Sequence, residues 1–95
     1  MAEEVQELAE GTSQKVASRT ELLQLIQKQE FRCALSGVEL KPIVAALDHK
    51  LAVSSGGGHG VDNLQVVHSS INRMKGTLSN DDFIMWCRKV ASWNA

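Results

Sequence analysis

A glycine-rich loop in the middle of the chain separates two short runs of residues, each of which predicts a β-strand. Residues 54–60 comprise two serines, four glycines and one histidine, a composition typical of a loop. The apolar, partly β-branched run 43–47 predicts a strand that leads into Asp48 and His49, and the run 64–68 predicts a second strand. Residues 69–75 predict a short helix that stops near Gly76. This order predicts an α+β unit built on a two-stranded hairpin.

A capped helix is predicted on each side of this unit. Ser18 and Glu21 match a capping box at the start of a helix over 19–30, whose apolar stripe we expect in the core. Ser79 and Asp82 match a second capping box. The helix after it carries an apolar face at helical spacing, made of Phe83, Trp86, Cys87, Val90 and Ala91. We expect this face to pack in the core, with Trp86 buried rather than stacked on nucleic-acid bases.

The size of the chain predicts one small domain. With 95 residues it buries a limited core, so a bound metal or a partner would add stability. We expect a flexible acidic arm over residues 1–17 and the domain over 18–95. No apolar run is long enough to span a bilayer and no signal segment opens the chain, which predicts a cytoplasmic protein without membrane contact. Two cysteines far apart in the sequence do not form a disulfide framework.

The net charge of −1 hides an uneven distribution. Residues 1–10 contain four glutamates and no basic residue, whereas residues 31–95 contain seven Lys or Arg against five Asp or Glu, an excess of two positive charges. This basic excess is smaller than nucleic-acid-binding domains usually show. A protein with this charge would bind DNA weakly through phosphate contacts, or would gain affinity from a partner or a second copy.

Three polar segments carry a resemblance to a known family. They are DHK at 48–50, DNLQ at 62–65 and INRMKG at 71–76, and each lies where a predicted strand or helix begins or ends. Together they resemble the core of the HNH endonucleases, in which a hairpin and a helix hold a metal ion between them, the ββα-metal fold. The resemblance covers residues 31–76. The signature residues would be His49, Asn63 and Asn72, an H-N-N variant, since the last position is a histidine in many members.

The resemblance implies a division of chemical roles. His49 would be the general base that activates water, and Asp48 and Asn72 would be the metal ligands. An imidazole suits the first role because it accepts a proton near neutral pH. A carboxylate and an amide oxygen form a hard ligand pair, which suits one Mg²⁺ or Mn²⁺ ion better than Zn²⁺ or Ni²⁺.

Two further residues have a functional and a plainer interpretation. In the family the asparagine at the position of Asn63 bonds backbone groups across the loop and holds the general base, and the alternative is an ordinary turn asparagine. Lys75 would contact a phosphate, because His68, Asn72 and Lys75 share one face if the short helix begins at residue 68. The alternative for Lys75 is a solvated surface lysine.

His59, His68 and Arg73 are possible substrate contacts, and His59 is equally well explained as a solvent-exposed loop residue. Many HNH proteins also hold a structural zinc ion with two pairs of cysteines. Here only Cys33 and His68 stand at such positions, and structural zinc requires four ligands. We therefore expect no structural zinc, and a buried Cys33 that packs as a small apolar residue.

The function implied by the resemblance is metal-dependent hydrolysis of phosphodiester bonds in DNA. One active centre would nick one strand and leave a 5′-phosphate and a 3′-hydroxyl. DNA would be the partner, with a homodimer or a larger DNA-processing complex as further options, and family analogy favours a phage or mobile-element enzyme. Two alternatives stay open: a non-catalytic nucleic-acid-binding module of the same shape, and a nuclease subunit recruited by a larger complex.

Overall fold

The computed structural model describes residues 16–95. Within them it contains an antiparallel hairpin and three α-helices, in the order α1 (Arg19–Lys28), β1 (Ala45–His49), β2 (Leu64–His68), α2 (Ser69–Lys75) and α3 (Asn80–Trp93). The predicted α+β class, with a short helix after the hairpin and a helix on each side, is confirmed. The predicted arm over residues 1–17 lies outside the described residues except for Val16 and Ala17. No helix within residues 16–95 is long and apolar enough to cross a membrane.

Helix α1 begins at the predicted capping box. The Ser18 side chain accepts from the backbone N–H of Glu21, and the Glu21 side chain accepts from the backbone N–H of Ser18. The helix ends at Lys28, two residues before its predicted end, because the chain turns through positive φ angles of 55° and 58° at Glu30 and Phe31. Gln29 then bonds both backbone groups of Val66 through its side-chain amide, which covers the outer edge of β2.

The hairpin fixes the register on which the candidate site depends. Asp48 pairs with Gln65 and His49 with Leu64, beside the loop, whereas Ala45 pairs with His68 at the other end. Strand β2 and helix α2 have their predicted bounds. Strand β1 begins two residues later than predicted, because the segment Pro42–Val44 forms a 3-10 turn.

Strand β2 lies at the centre of the core. Four consecutive residues, Leu64 to Val67, are buried, because both α1 and α2 pack against β2. The buried apolar cluster consists of Cys33, Leu40, Val66 and Val67. The predicted burial of the α1 stripe is partly confirmed, since Leu25 and Ile26 are half-buried against this cluster.

Helix α3 does not pack as predicted. It begins at the predicted cap, where Ser79 Oγ accepts from the backbone N–H of Asp82. Phe83 is its only buried residue, and Trp86 is 53% exposed, so the prediction that Trp86 lies in the core is wrong. The physical reason is that an apolar stripe indicates a surface that needs a partner, without indicating that this partner belongs to the same chain.

Candidate active centre

Lys75 forms a buried ion pair with Asp48 near the end of the hairpin. Lys75 Nζ lies 3.0 Å from Asp48 Oδ2 and donates a second bond of 2.8 Å to the backbone carbonyl of His49. Helix α2 packs against β1, and its last turn thereby carries Lys75, which is only 2% exposed, to this position. Lys75 is therefore not the solvated lysine of its alternative interpretation, and its ammonium group already bonds protein atoms where the first interpretation has a phosphate. A buried carboxylate requires a counter-charge, and Lys75 supplies it.

Two amides extend this ion pair into a polar network. Gln65 Nε2 donates to Asp48 Oδ2 at 2.8 Å and to Asn80 Oδ1 at 2.7 Å, and Asn80 Nδ2 donates back to Gln65 Oε1 at 3.0 Å. The network joins β1, β2, α2 and the first turn of α3. Sequence reasoning missed Gln65 and Asn80. The available signal was a glutamine within an apolar strand, since a buried amide must find hydrogen-bond partners.

One oxygen of Asp48 stays available for a ligand. Asp48 Oδ1 makes no hydrogen bond within residues 16–95. Because no fully buried side-chain nitrogen or oxygen in that part of the chain lacks a partner, Oδ1 keeps a small contact with solvent, although Asp48 as a whole is only 6% exposed. The ion pair and Gln65 both engage Oδ2, so they fix the carboxylate and leave Oδ1 free. A fixed, open carboxylate oxygen is suited to a hard cation such as Mg²⁺ or Mn²⁺.

Asn72, the second predicted ligand, lies on the helix that carries Lys75, about one turn earlier. Its side chain is half-buried and makes no hydrogen bond within the described part of the chain. By chemistry, a carboxylate and an amide oxygen are a suitable donor pair for a hard divalent cation. No group of three or more His, Cys, Asp or Glu residues that could hold a metal occurs within residues 16–95. A cation here would complete its coordination with water and phosphate oxygens, as Mg²⁺ commonly does.

Asn63 closes the loop between the two strands. Its Oδ1 accepts from the backbone N–H of Leu51 at 3.1 Å, and its Nδ2 donates to the carbonyls of Leu51 at 2.9 Å and Gly58 at 2.8 Å. The backbone carbonyl of Asn63 also accepts from the N–H of Lys50, next to His49. These are the hydrogen bonds across the loop that the bracing role requires.

Gly57 allows this closure because it has no side chain. A Cβ at Gly57 would collide with the carbonyl oxygen of Leu51 and lie 2.7 Å from Asn63 Nδ2. A Cβ at the neighbouring Gly58 would meet no atom within 4 Å. The two glycines therefore differ: the first is required by close packing of the loop, and the second is not.

The loop histidine contacts the predicted general base. The rings of His49 and His59 lie with their centroids 5.4 Å apart at an angle of 81°, an edge-to-face arrangement. Both side chains are half-buried, and neither makes a side-chain hydrogen bond within residues 16–95. The backbone carbonyl of His59 accepts from the N–H of Ala17 at 3.3 Å, which ties the start of the described chain to the loop. His59 is thus not the freely solvated residue that was its alternative interpretation.

The other two possible substrate contacts differ in position. Arg73 is exposed on α2, directly after Asn72 in the sequence, and its role as a substrate contact stays a prediction. His68 lies at the opposite end of the hairpin from His49, where its Nδ1 accepts from the backbone N–H of Ser70 and caps α2. Because α2 begins after His68, this residue does not share the helical face of Asn72, and its position at the far end of the hairpin argues against a contact with substrate beside His49.

Cys33 and His68 lie together away from this site. The backbone N–H of His68 donates to Cys33 Sγ at 3.3 Å, and that of Ser36 donates at 3.4 Å. Burial raises the pKa of the Cys33 thiol, but the hydrogen bonds from Ser36, His68 and Leu35 outweigh burial and hold that pKa below its usual value. Cys33 is buried in the apolar cluster, as predicted. The expectation of no structural zinc stays a prediction.

No protein-family model matches the chain, and a search of curated proteins found no match. Any proposal for the function therefore depends on the geometry described above and on the resemblance carried by the three polar segments.

Replacing Lys75 by methionine should lower the free energy of unfolding by about 3 kcal/mol, because the Asp48 carboxylate stays buried without a counter-charge. Urea unfolding followed by circular dichroism measures the change. Lys41→Met, at an exposed lysine, is the matched control and should change the free energy by less than about 0.5 kcal/mol. Equal effects of the two substitutions would show that the buried Asp48 carboxylate does not need Lys75 as its counter-charge.

Gly57→Ala should lower the free energy of unfolding by about 2 kcal/mol, since the new Cβ displaces the Leu51 carbonyl or Asn63. Gly58→Ala, one residue away and facing open space, should be neutral or stabilise by about 0.5 kcal/mol. Thermal unfolding of the two variants side by side makes the comparison. If Gly57→Ala is as stable as Gly58→Ala, the loop is not closed as described.

Proposed function

We propose that the chain is a metal-dependent endonuclease of the HNH kind that hydrolyses phosphodiester bonds in DNA. The observation that supports it most is the pair of side chains at the end of β1. His49 has a half-buried ring without a side-chain hydrogen bond in the described chain, and Asp48 beside it is fixed through one oxygen and open through the other. The first group is a potential base and the second a potential ligand of a hard cation.

In this mechanism His49 accepts a proton from the attacking water. Asn63 holds the loop next to it through three side-chain hydrogen bonds to the backbone, and the ring of His59 restricts the orientation of the His49 ring. Correct orientation of the base matters because proton transfer requires a hydrogen bond of normal length between the base and the water.

Asp48 and Asn72 would hold the divalent cation. When bound, the cation supplies Lewis-acid polarisation of the scissile phosphate and neutralises the departing 3′ oxygen. Lys75 and Gln65 act on the cation site through Asp48: both hold Oδ2, which leaves Oδ1 for the ligand. Cleavage of the bond to the 3′ oxygen leaves a 3′-hydroxyl and a 5′-phosphate.

The substrate would be bound with few ionic contacts. Arg73 is exposed beside Asn72, and the basic excess of residues 31–95 is only two charges, so we propose weak binding of DNA by one copy of the chain. One active centre acts on one strand, so nicking is the proposed reaction. The setting we propose is the cytoplasm of a bacterium or of a phage-infected cell, by family analogy alone.

Incubation with supercoiled plasmid and Mg²⁺ or Mn²⁺ tests this proposal. We expect nicked circles with 5′-phosphate and 3′-hydroxyl ends, and a rate at least about 100-fold lower for His49→Ala, which lacks the base. The matched control is His68→Asn, because asparagine also caps a helix and residue 68 lies at the far end of the hairpin. This control should cut at the rate of the parent.

A non-catalytic binding module is the second candidate, favoured by the finding that no three His, Cys, Asp or Glu residues within residues 16–95 come together as a metal site. It predicts the opposite result in the same assay. If the parent and His49→Ala are equally inert with either metal, yet both still retard DNA in a gel, the nuclease proposal is wrong and the binding module replaces it.

A further inference from the structure

Helix α3 presents an apolar surface that nothing in residues 16–95 covers. Trp86 is 53% exposed, Val90 62% and Trp93 89%. These residues are four and three positions apart, so they lie along one side of the helix. An exposed apolar surface of this extent on a small protein commonly marks an interaction site. We call these three residues the α3 stripe.

The helix is attached to the domain only near its beginning. Asn80 exchanges two hydrogen bonds with Gln65, its backbone N–H donates to the carbonyl of Lys50, and Phe83 is buried. From Trp86 onwards every residue is exposed. The last two turns of α3 therefore extend from the domain and are accessible to a partner on the side of the stripe.

Charges on the same side of the helix identify the kind of partner. Asp82, Trp86, Lys89 and Trp93 follow one another at spacings of four, three and four residues, so they form a single row along α3. Asp82 and Lys89 are exposed, and neither forms an ion pair within the described residues. The row is acidic near the helix N-terminus and basic two turns later. Two copies of the row that run antiparallel therefore place opposite charges beside each other.

We propose that the α3 stripe binds a second copy of this chain, with the two α3 helices packed antiparallel about a two-fold axis near Trp86. In this arrangement Asp82 faces Lys89 of the partner subunit, and the reciprocal pair forms by symmetry. A parallel arrangement would place like charges together. The net charge of −1 opposes association only weakly.

The size of the stripe sets the strength of the dimer. A tryptophan buries up to roughly 250 Å². With the observed exposures, the three stripe residues offer roughly 400–500 Å² per copy, or about 900 Å² in total, which is below the size of a standard stable interface. We therefore expect a weak dimer, which forms only at high protein concentration. This inference does not depend on the proposed nuclease activity.

The sequence provides its own reporter for this association. The two tryptophans of the chain both lie in the α3 stripe. Sedimentation equilibrium of the full chain, together with tryptophan emission over about 1 µM to 1 mM, should show a monomer–dimer equilibrium and an emission maximum that shifts to shorter wavelength as the dimer forms. Val90→Glu keeps both tryptophans and should weaken association at least tenfold. Leu23→Glu, at an exposed leucine of α1 that is 56% accessible, should leave it unchanged.

Exchange of charges tests the antiparallel orientation. Asp82→Lys and Lys89→Asp should each weaken association roughly three- to tenfold, since each places like charges together twice in the dimer. The double variant Asp82→Lys/Lys89→Asp restores opposite charges and should associate like the parent. The proposal is overturned if the chain stays monomeric up to 1 mM, as it would if residues 1–15 or another protein occupied the α3 stripe instead. It is also overturned if the double variant associates more weakly than either single variant.

Discussion

The buried ion pair between Lys75 and Asp48 is the interaction on which the rest of the site depends. It joins the last turn of α2 to β1, and the same ammonium group bonds the carbonyl of His49. Taking both charges out of water costs free energy, which the attraction and the additional hydrogen bonds must offset. The pair is therefore better understood as fixing geometry than as a source of stability: it determines where α2 crosses the hairpin and which oxygen of Asp48 faces outward.

Around this pair, some polar atoms are held by hydrogen bonds and others have none. Oδ2 of Asp48 is held by Lys75 and Gln65, whereas Oδ1, the Asn72 amide and the His49 ring have no side-chain hydrogen bond in the described chain. Asn63 completes the arrangement by closing the loop. Groups that are held in place by neighbours but keep their own reactive atoms free are what a preorganised site requires.

Local sequence patterns predicted much of the fold and less of the site. The capping box of α1 and the bounds of β2 and α2 followed from spacing and residue type, because each depends on neighbours within a few residues. The hydrogen bonds of Asn63, which reach Leu51 twelve residues away, were expected from the family resemblance. The direction of Lys75 did not follow, since it depends on how α2 crosses β1. The contact between His49 and His59 depends on the path of a glycine-rich loop, which leaves no periodic signal. The exposure of Trp86 could not be predicted because helical spacing reveals an apolar side and not its partner.

The proposed chemistry requires one hard cation held between Asp48 and Asn72, with the ring of His49 turned towards it. A crystal of the protein soaked in Mn²⁺ and measured for anomalous scattering tests this most directly. We expect one strong peak that contacts Oδ1 of Asp48 and the side-chain oxygen of Asn72, and that is lost in Asp48→Asn while the fold persists. A crystal without manganese between these two side chains, or with the His49 ring turned into the interior, would contradict the proposed active centre.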